Sequence, residues 1–519
     1  MTLPHPHLYE ISAWPWLERL GSDRGHTRVR PGSVQGQTKV RPGSVQRQTR
    51  VRPITLDTVP DAEWDRIAEA GFDYVFLMGV WRRSPIGREI ARTHEGLVGE
   101  YDRVLPGWTP DDVPGSPYCV QAYEPDDRMG GWRGLDAARR ALNDRGVRLM
   151  LDFVPNHTAF DHAWIFDHPE RYVMGTDEDY RAAPSEYRPV DTRTGPRLVA
   201  CARDPYFPPW TDVAQLNYFN PETRAAMQAT LAAISDRCDA VRCDMAMLVL
   251  NDVFEGTWRH VLRGAWPRLS SEFWQETTRL IPRLDYVAEV YWQLEARLLE
   301  QGFTFAYDKR LLDALHAPDA APAVRDMLAS RTPEPSRLAR FIENHDEPRS
   351  AATLTRCLTA ASSLIATSPG LRFFFDGQLD GRRIKSPVQL GRWADEPVDE
   401  QIRTMYRRML RFARAPLLHE GDWRLLHVSP AGDHTFNDII AYRWRSADAL
   451  AVVAVNLGGS ASQAHVDVAA DLPDSDAFDF VDALTDARYP RTRESLMASG
   501  LYVRLEAGSA HLFEVVPRG

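Results

Sequence analysis

The stretch "NPETRAAMQATLAAISDRCDAVRCDM", residues 220–245, decides how this chain is read. Asn220 is a good helix N-cap and Pro221 suits the first helical position, so a helix is expected to follow and then close on a short buried strand. Side chains alternate along a strand. Arg242, Asp244 and Ala246 therefore share one face, while Val241, Cys243 and Met245 share the other. A charged face on a buried strand must be paired or functional, because an uncompensated buried charge is costly.

The same unit recurs on both sides. "VPDAEWDRIAEAGFDYVFLMGVW" (59–81) reads as a helix from about Pro60, a stop at Gly71 and a strand at 74–80. "LDAARRALNDRGVRLMLDFV" (135–154) reads as a helix, a stop at Gly146 and a strand. Further strands are expected at 7–14, 284–290, 303–307, 338–344 and 371–377, with helical stretches between them. Eight strands alternating with helices fit a closed (β/α)8 TIM barrel better than an open doubly wound sheet, and no Gly-rich phosphate loop opens any of the helices.

Two segments break the alternation. Residues 157–220 are rich in Asp, Pro, Tyr and Arg without helical period, and read as an irregular subdomain inserted after strand 3. Beyond about Leu418 the texture turns to short apolar pieces such as "ALAVVAVNLGG", the pattern of a C-terminal antiparallel β-sandwich over 419–519. The barrel would then comprise 1–156 and 221–418. Inside its first part lies an eleven-residue tandem repeat, "TRVRPGSVQGQ", "TKVRPGSVQRQ" and a truncated "TRVRP", spanning 27–53. Its seven basic residues have no acidic partner within it and it has little apolar surface to bury, so a disordered insertion is expected.

A formal charge of −10 argues against nucleic acid or an anionic membrane as partner and favours a small neutral ligand. The first residues lack a basic region followed by an apolar one, and no apolar run reaches spanning length, so a cytoplasmic protein is expected. The five cysteines follow no zinc-like pairing, in keeping with reduced thiols.

In such a barrel, function sits at the C-terminal ends of the strands. Strand 3 ends in Asp152, Asn156 and His157, strand 4 in Arg242 and Asp244, strand 5 in Glu289, and strand 7 in Asn344, His345, Asp346, Glu347 and Arg349. Each alone has a structural explanation, but carboxylates recur at four strand ends that the barrel brings together. Two chemistries use such a set. Metal-assisted hydrolysis would draw on His157, His345, Asp346 and Glu347, yet no close His pair recurs. Glycoside chemistry needs one carboxylate to attack the anomeric carbon and a second to protonate the leaving oxygen, and it accounts for more of the residues.

"LDFVPNH", "VRCDMAM", "AEVYW" and "FIENHDEPR", in that order, resemble the four sequence regions of the α-amylase superfamily of glycoside hydrolases and transglycosylases. The resemblance implies Asp244 as nucleophile, Glu289 as general acid and base with its pKa raised by its surroundings, and Asp346 as the third carboxylate gripping the sugar. It makes Arg242 the group that orients Asp244, and His157 and His345 donors to the same sugar. "SPYCVQAYEP" resembles the family's loop with a stacking tyrosine, which would be Tyr118, and Trp292 would line the acceptor side.

Cys119 stands where many α-glucosidases of the family have aspartate. Met247 and Leu248 replace the lysine and histidine of typical α-amylases, and these apolar residues near the acceptor suggest reduced ordering of water. The resemblance also brings in an optional structural calcium at Asn156, with acids such as Asp177, Glu178 and Asp179; no other cofactor is implied. The expected activity is hydrolysis or transfer of α-glucosides or short α-glucans through a glycosyl-aspartate. The alternative is a non-catalytic carbohydrate-binding protein on the same barrel.

Overall fold

The computed structural model describes residues 3–26 and 53–518. Apart from Pro53, the tandem repeat lies outside the described residues. Eight parallel strands close a barrel: β1 (His7–Ser12), β2 (Tyr74–Met78), β3 (Arg148–Phe153), β4 (Ala240–Cys243), β5 (Asp285–Ala288), β6 (Phe305–Tyr307), β7 (Leu338–Arg340) and β8 (Leu371–Phe375). Each pairs with its neighbours in chain order, and β8 closes on β1. All eight expected strands are present, and all but β6, which ends at Tyr307 as expected, are shorter at the C-terminal end than the apolar run suggests. The residues trimmed off, Glu289 and Asn344 among them, lie in the loops above the barrel.

The helix and strand units form as the sequence dictates. The Asn220 side chain accepts from the Glu222 N–H at the head of the helix Pro221–Ser235. Gly71 (φ +89°) and Gly146 (φ +76°) adopt the left-handed conformation that ends their helices and turns the chain into β2 and β3.

The insertion is more regular than its composition suggests. Short strands at His157–Ala159, Met174–Gly175, Tyr187–Val190, Arg197–Ala202 and Trp210–Gln215 make a five-stranded antiparallel sheet. The strands are short, and the pairing of Trp210–Gln215 with Arg197–Ala202 slips register between Trp210 and Ala214, so no alternating pattern builds up in sequence. The C-terminal part is a six-stranded and a three-stranded antiparallel sheet around one apolar cluster that includes Val452, Phe478, Phe480 and Phe513. Among the described residues no helix is long and apolar enough to cross a membrane.

Candidate active site

Arg242 is level with Asp152 on β3 and Val287 on β5, and its side chain, 1% exposed, stands in the mouth of the barrel. Nη1 reaches Asp244 Oδ1 at 2.8 Å and Asp152 Oδ1 at 3.3 Å, while Nη2 reaches Glu289 Oε2 at 2.8 Å and Asp346 Oδ2 at 4.0 Å. Four carboxylates from four strand ends thus converge on one guanidinium. Tyr118 and Tyr307 flank it with their rings, centroids 5.3 and 5.9 Å away. The charged face of the β4 stretch is paired, and its pairing joins β3, β4, β5 and β7.

The carboxylates differ in what surrounds them. Glu289 accepts from the Met245 N–H at 2.6 Å and from Tyr291 Oη at 2.9 Å, and it faces Arg242 Nη2 as an ion pair outside hydrogen-bonding geometry. Met245 can present that N–H because it takes a left-handed conformation, φ 42°, where the chain turns off β4. The Glu289 oxygens thus face two hydrogen-bond donors and a guanidinium rather than apolar surroundings. Asp244 is the carboxylate that burial, and then the Glu289 charge, pushes up to about 8. Burial also pushes Asp152 up to about 6.

Asp346 is the opposite case. Burial would raise it, but water reaches 45% of its side chain and His345 Nε2 lies 2.9 Å away, so its carboxyl is held well below the usual range. His345 is buried, which alone would lower its pKa; Asp346 on Nε2 and Glu10 on Nδ1 together hold it well above the ordinary imidazole value. Tyr118 Oη also bonds His345 Nε2, at 2.6 Å. Glu10, 0% exposed on β1, is a partner that no motif indicated. It had a signal nonetheless: an acid in the middle of an otherwise apolar first strand.

A cavity of about 510 Å³ opens over this cluster, with Asp244, Glu289, Asp346, Tyr118, His157 and Tyr291 in its wall. His157 is held neutral by burial, its pKa lowered to about 4, with Nε2 on the Tyr118 carbonyl at 3.2 Å and its ring edge-on to Trp210. Arg242 and His345 lie behind the wall as supports.

Trp292 is not part of the wall. It adopts φ 61° and turns its ring edge-on to Tyr206, 5.0 Å away, and Tyr291 lines the cavity in its place. Met247 and Leu248 are buried in the main core, 0% and 3% exposed, so the acceptor-side role suggested for them does not hold. Cys119 is buried as well, its Sγ on the Asp212 carbonyl. Asp212 itself lines the cavity from the inserted sheet, a carboxylate that the motifs did not flag.

The residues present do not fit calcium at Asn156. Its side chain is engaged by Gln215, which donates to Oδ1 at 3.0 Å and accepts from Nδ2 at 3.3 Å. Asp179 is bound by Arg263 and by Thr176. Among the described residues no group of three or more His, Cys, Asp or Glu side chains gathers around Asn156.

No model of a known protein family matches the chain. In sequence it is 27% identical over 325 residues to alpha-amylase MalA of Haloarcula japonica, an alignment covering 61% of this chain and 44% of that protein. It is 26% identical over 150 residues to an alpha-glucosidase of Schizosaccharomyces pombe, 26% of each chain. The chain thus spans less than half the length of either curated relative. In fold it is similar to the alpha-amylase of Geobacillus thermoleovorans solved with acarbose (TM-score 0.62, 17% identity, 99% of both chains). The alpha-amylase from H. orenii is similar too (TM-score 0.63, 16% identity, 98% of this chain and 99% of that one). The sequence relatives point to the α-amylase superfamily, and the fold neighbours share this chain's fold.

Proposed function

We propose that this chain is a retaining α-glycoside hydrolase or transglycosylase of α-glucosides or short α-glucans. The observation that carries the reading is Arg242 with Asp244 and Glu289 on its two arms, both at 2.8 Å, beneath a cavity of sugar-binding size. Retaining enzymes hold their two carboxyls about 5–5.5 Å apart, inverting ones about 6.5–9.5 Å apart with a water between them. Sharing one guanidinium favours the shorter arrangement.

In this mechanism Asp244 attacks the anomeric carbon as the glycosidic bond breaks, and Glu289 gives its proton to the leaving oxygen. The carboxylate formed on Glu289 then takes a proton from water or a sugar hydroxyl, which attacks the same carbon and releases Asp244. Asp346, kept anionic by His345, grips sugar hydroxyls as positive charge develops on the ring, and Tyr118 offers an aromatic face beneath it. The burial of Met247 and Leu248 removes the argument that favoured transfer, so product analysis with maltotriose decides between water and sugar as acceptor.

A 2-deoxy-2-fluoro glucosyl fluoride is the sharpest test. It should trap an adduct on the peptide that carries Asp244, and α-anomeric product should appear first by NMR. Glu289→Gln should lower turnover of poor leaving groups by about 10²–10⁴-fold while sugar binding changes little. Turnover with the label on another residue would overturn the assignment. Sugar binding without turnover on any α-linked di- or oligosaccharide would favour the non-catalytic alternative.

A further inference from the structure

The opposite, N-terminal end of the barrel carries a second cluster that the proposed reaction does not use. His7 opens β1, Asp73 leads into β2, and His419 lies in the helix Pro416–Glu420, just before the C-terminal sheets. His7 is 1% exposed, and neither of its ring nitrogens has a partner in hydrogen-bonding geometry. The Ala366 carbonyl is near but fails that geometry. Leaving such a group unsatisfied costs about 1–3 kcal/mol.

Nδ1 of His7 stands 3.9 Å from Asp73 Oδ2, too far for a hydrogen bond, while the same oxygen accepts the His7 backbone N–H at 2.7 Å. The His419 ring lies edge-on to His7 with centroids 5.3 Å apart. Its Nδ1 faces the Pro4 carbonyl at 3.3 Å and donates to it, which leaves Nε2 with its lone pair.

One ligand atom from each of the three side chains falls within 4.8 Å of the others. A cation at their centre would lie within about 2.8 Å of each, and closing to Zn²⁺ bonds of about 2.0–2.2 Å asks for shifts below about 1 Å. Two imidazoles and one carboxylate suit Zn²⁺ rather than the all-oxygen shells of Ca²⁺ or Mg²⁺. Arg372, level with His7 on β8, opposes a cation, and the Asp73 carboxylate is the anion that offsets it, while the guanidinium itself is turned to the carbonyls of Ser368, Ala413 and Leu418. Asp73 is 27% exposed and His419 half-buried, so water and ions reach the site.

We propose that His7, Asp73 and His419 form a structural Zn²⁺ site that ties the first barrel strand to the approach to β2 and to the link into the C-terminal sheets. A water would complete the tetrahedron. The site is separate from the carboxylates at the other end of the barrel, so sugar turnover does not report on it.

The test is titration of chelator-treated, dialysed full-length protein with Zn²⁺ by calorimetry, and with Co²⁺ by visible absorption, alongside thermal unfolding. The expected result is one ion per chain, a tetrahedral Co²⁺ band and a melting temperature raised by several degrees at saturation. His419→Ala should weaken Zn²⁺ binding at least 100-fold and abolish the thermal shift. Asp73→Asn, which keeps an acceptor for the His7 N–H, should do the same, with circular dichroism confirming that both variants are folded. A wild-type chain that takes up no Zn²⁺, or folded variants that bind it as tightly as wild type, would overturn the proposal.

Discussion

The two ends of the barrel hold buried arginines in contrasting company. At the C-terminal end Arg242 meets four carboxylates, and burial, which would lower its pKa, is outweighed by Glu289 and its other anionic neighbours. At the N-terminal end Arg372 meets backbone carbonyls and the face of Trp444, with no carboxylate in contact among the described residues, and burial pulls it down to about 9. Near it the His7 ring lacks any hydrogen-bonded partner. The upper charges depend on one another, so removing one uncovers the rest; the lower groups are each satisfied, or left unsatisfied, separately. Mutual dependence is costly to build but holds several reactive groups in one geometry, which chemistry at that end requires.

Arg242→Met is the strongest way to break this contrast. It leaves Asp244, Glu289 and Asp152 buried without their cation, a loss of about 3–5 kcal/mol. Turnover should fall below detection, and the melting temperature should drop by several degrees in thermal unfolding. An unchanged melting temperature would mean that the carboxyls hold protons rather than charge.

Tyr291→Phe comes next. It removes one donor to a carboxylate, worth about 1.5–3 kcal/mol, so the melting temperature should fall by a few degrees and kcat/KM by about 10–100-fold. Steady-state kinetics beside a melting curve separates the two effects.

His345→Gln probes the ion pairs through pH. The raised His345 pKa contributes stability that is full below the unfolded value near 6.5 and lost as pH rises through the folded value. The lowered Asp346 pKa contributes stability that is full above the unfolded value near 3.9 and lost as pH falls through the folded value. The difference in melting temperature between wild type and variant should therefore be largest between about pH 4 and 6.5 and shrink at higher pH. A difference that grows from pH 6.5 to 9 would contradict the charged imidazole.

The smallest effect is expected from Asp212→Asn on the inserted sheet. KM for the shortest substrates should rise a few-fold, with kcat nearly unchanged, if the Asp212 carboxylate contacts a bound sugar far from the reacting bond. An equal loss in kcat would place it nearer the chemistry.

The sequence by itself determined the barrel and the four strand ends that carry its carboxylates. Local signals suffice there: an N-cap such as Asn220, a left-handed glycine such as Gly146 and a short apolar run act over a few residues, and their repetition counts the strands. Asp244, Glu289 and Asp346 were legible for the same reason, since a charge ending a buried strand stands out wherever it occurs.

Only the tertiary structure decided which groups surround them. Glu10 reaches His345 across 335 positions of sequence, and Asp212 arrives from an inserted sheet whose short, slipped strands leave no pattern. Tyr291 and Trp292 are adjacent in the chain. The positive φ of Trp292 sends its ring to Tyr206 and leaves Tyr291 at Glu289, an exchange that composition and spacing do not encode. Secondary structure is written in near neighbours, whereas the company of a buried charge is settled by packing among residues hundreds of positions apart.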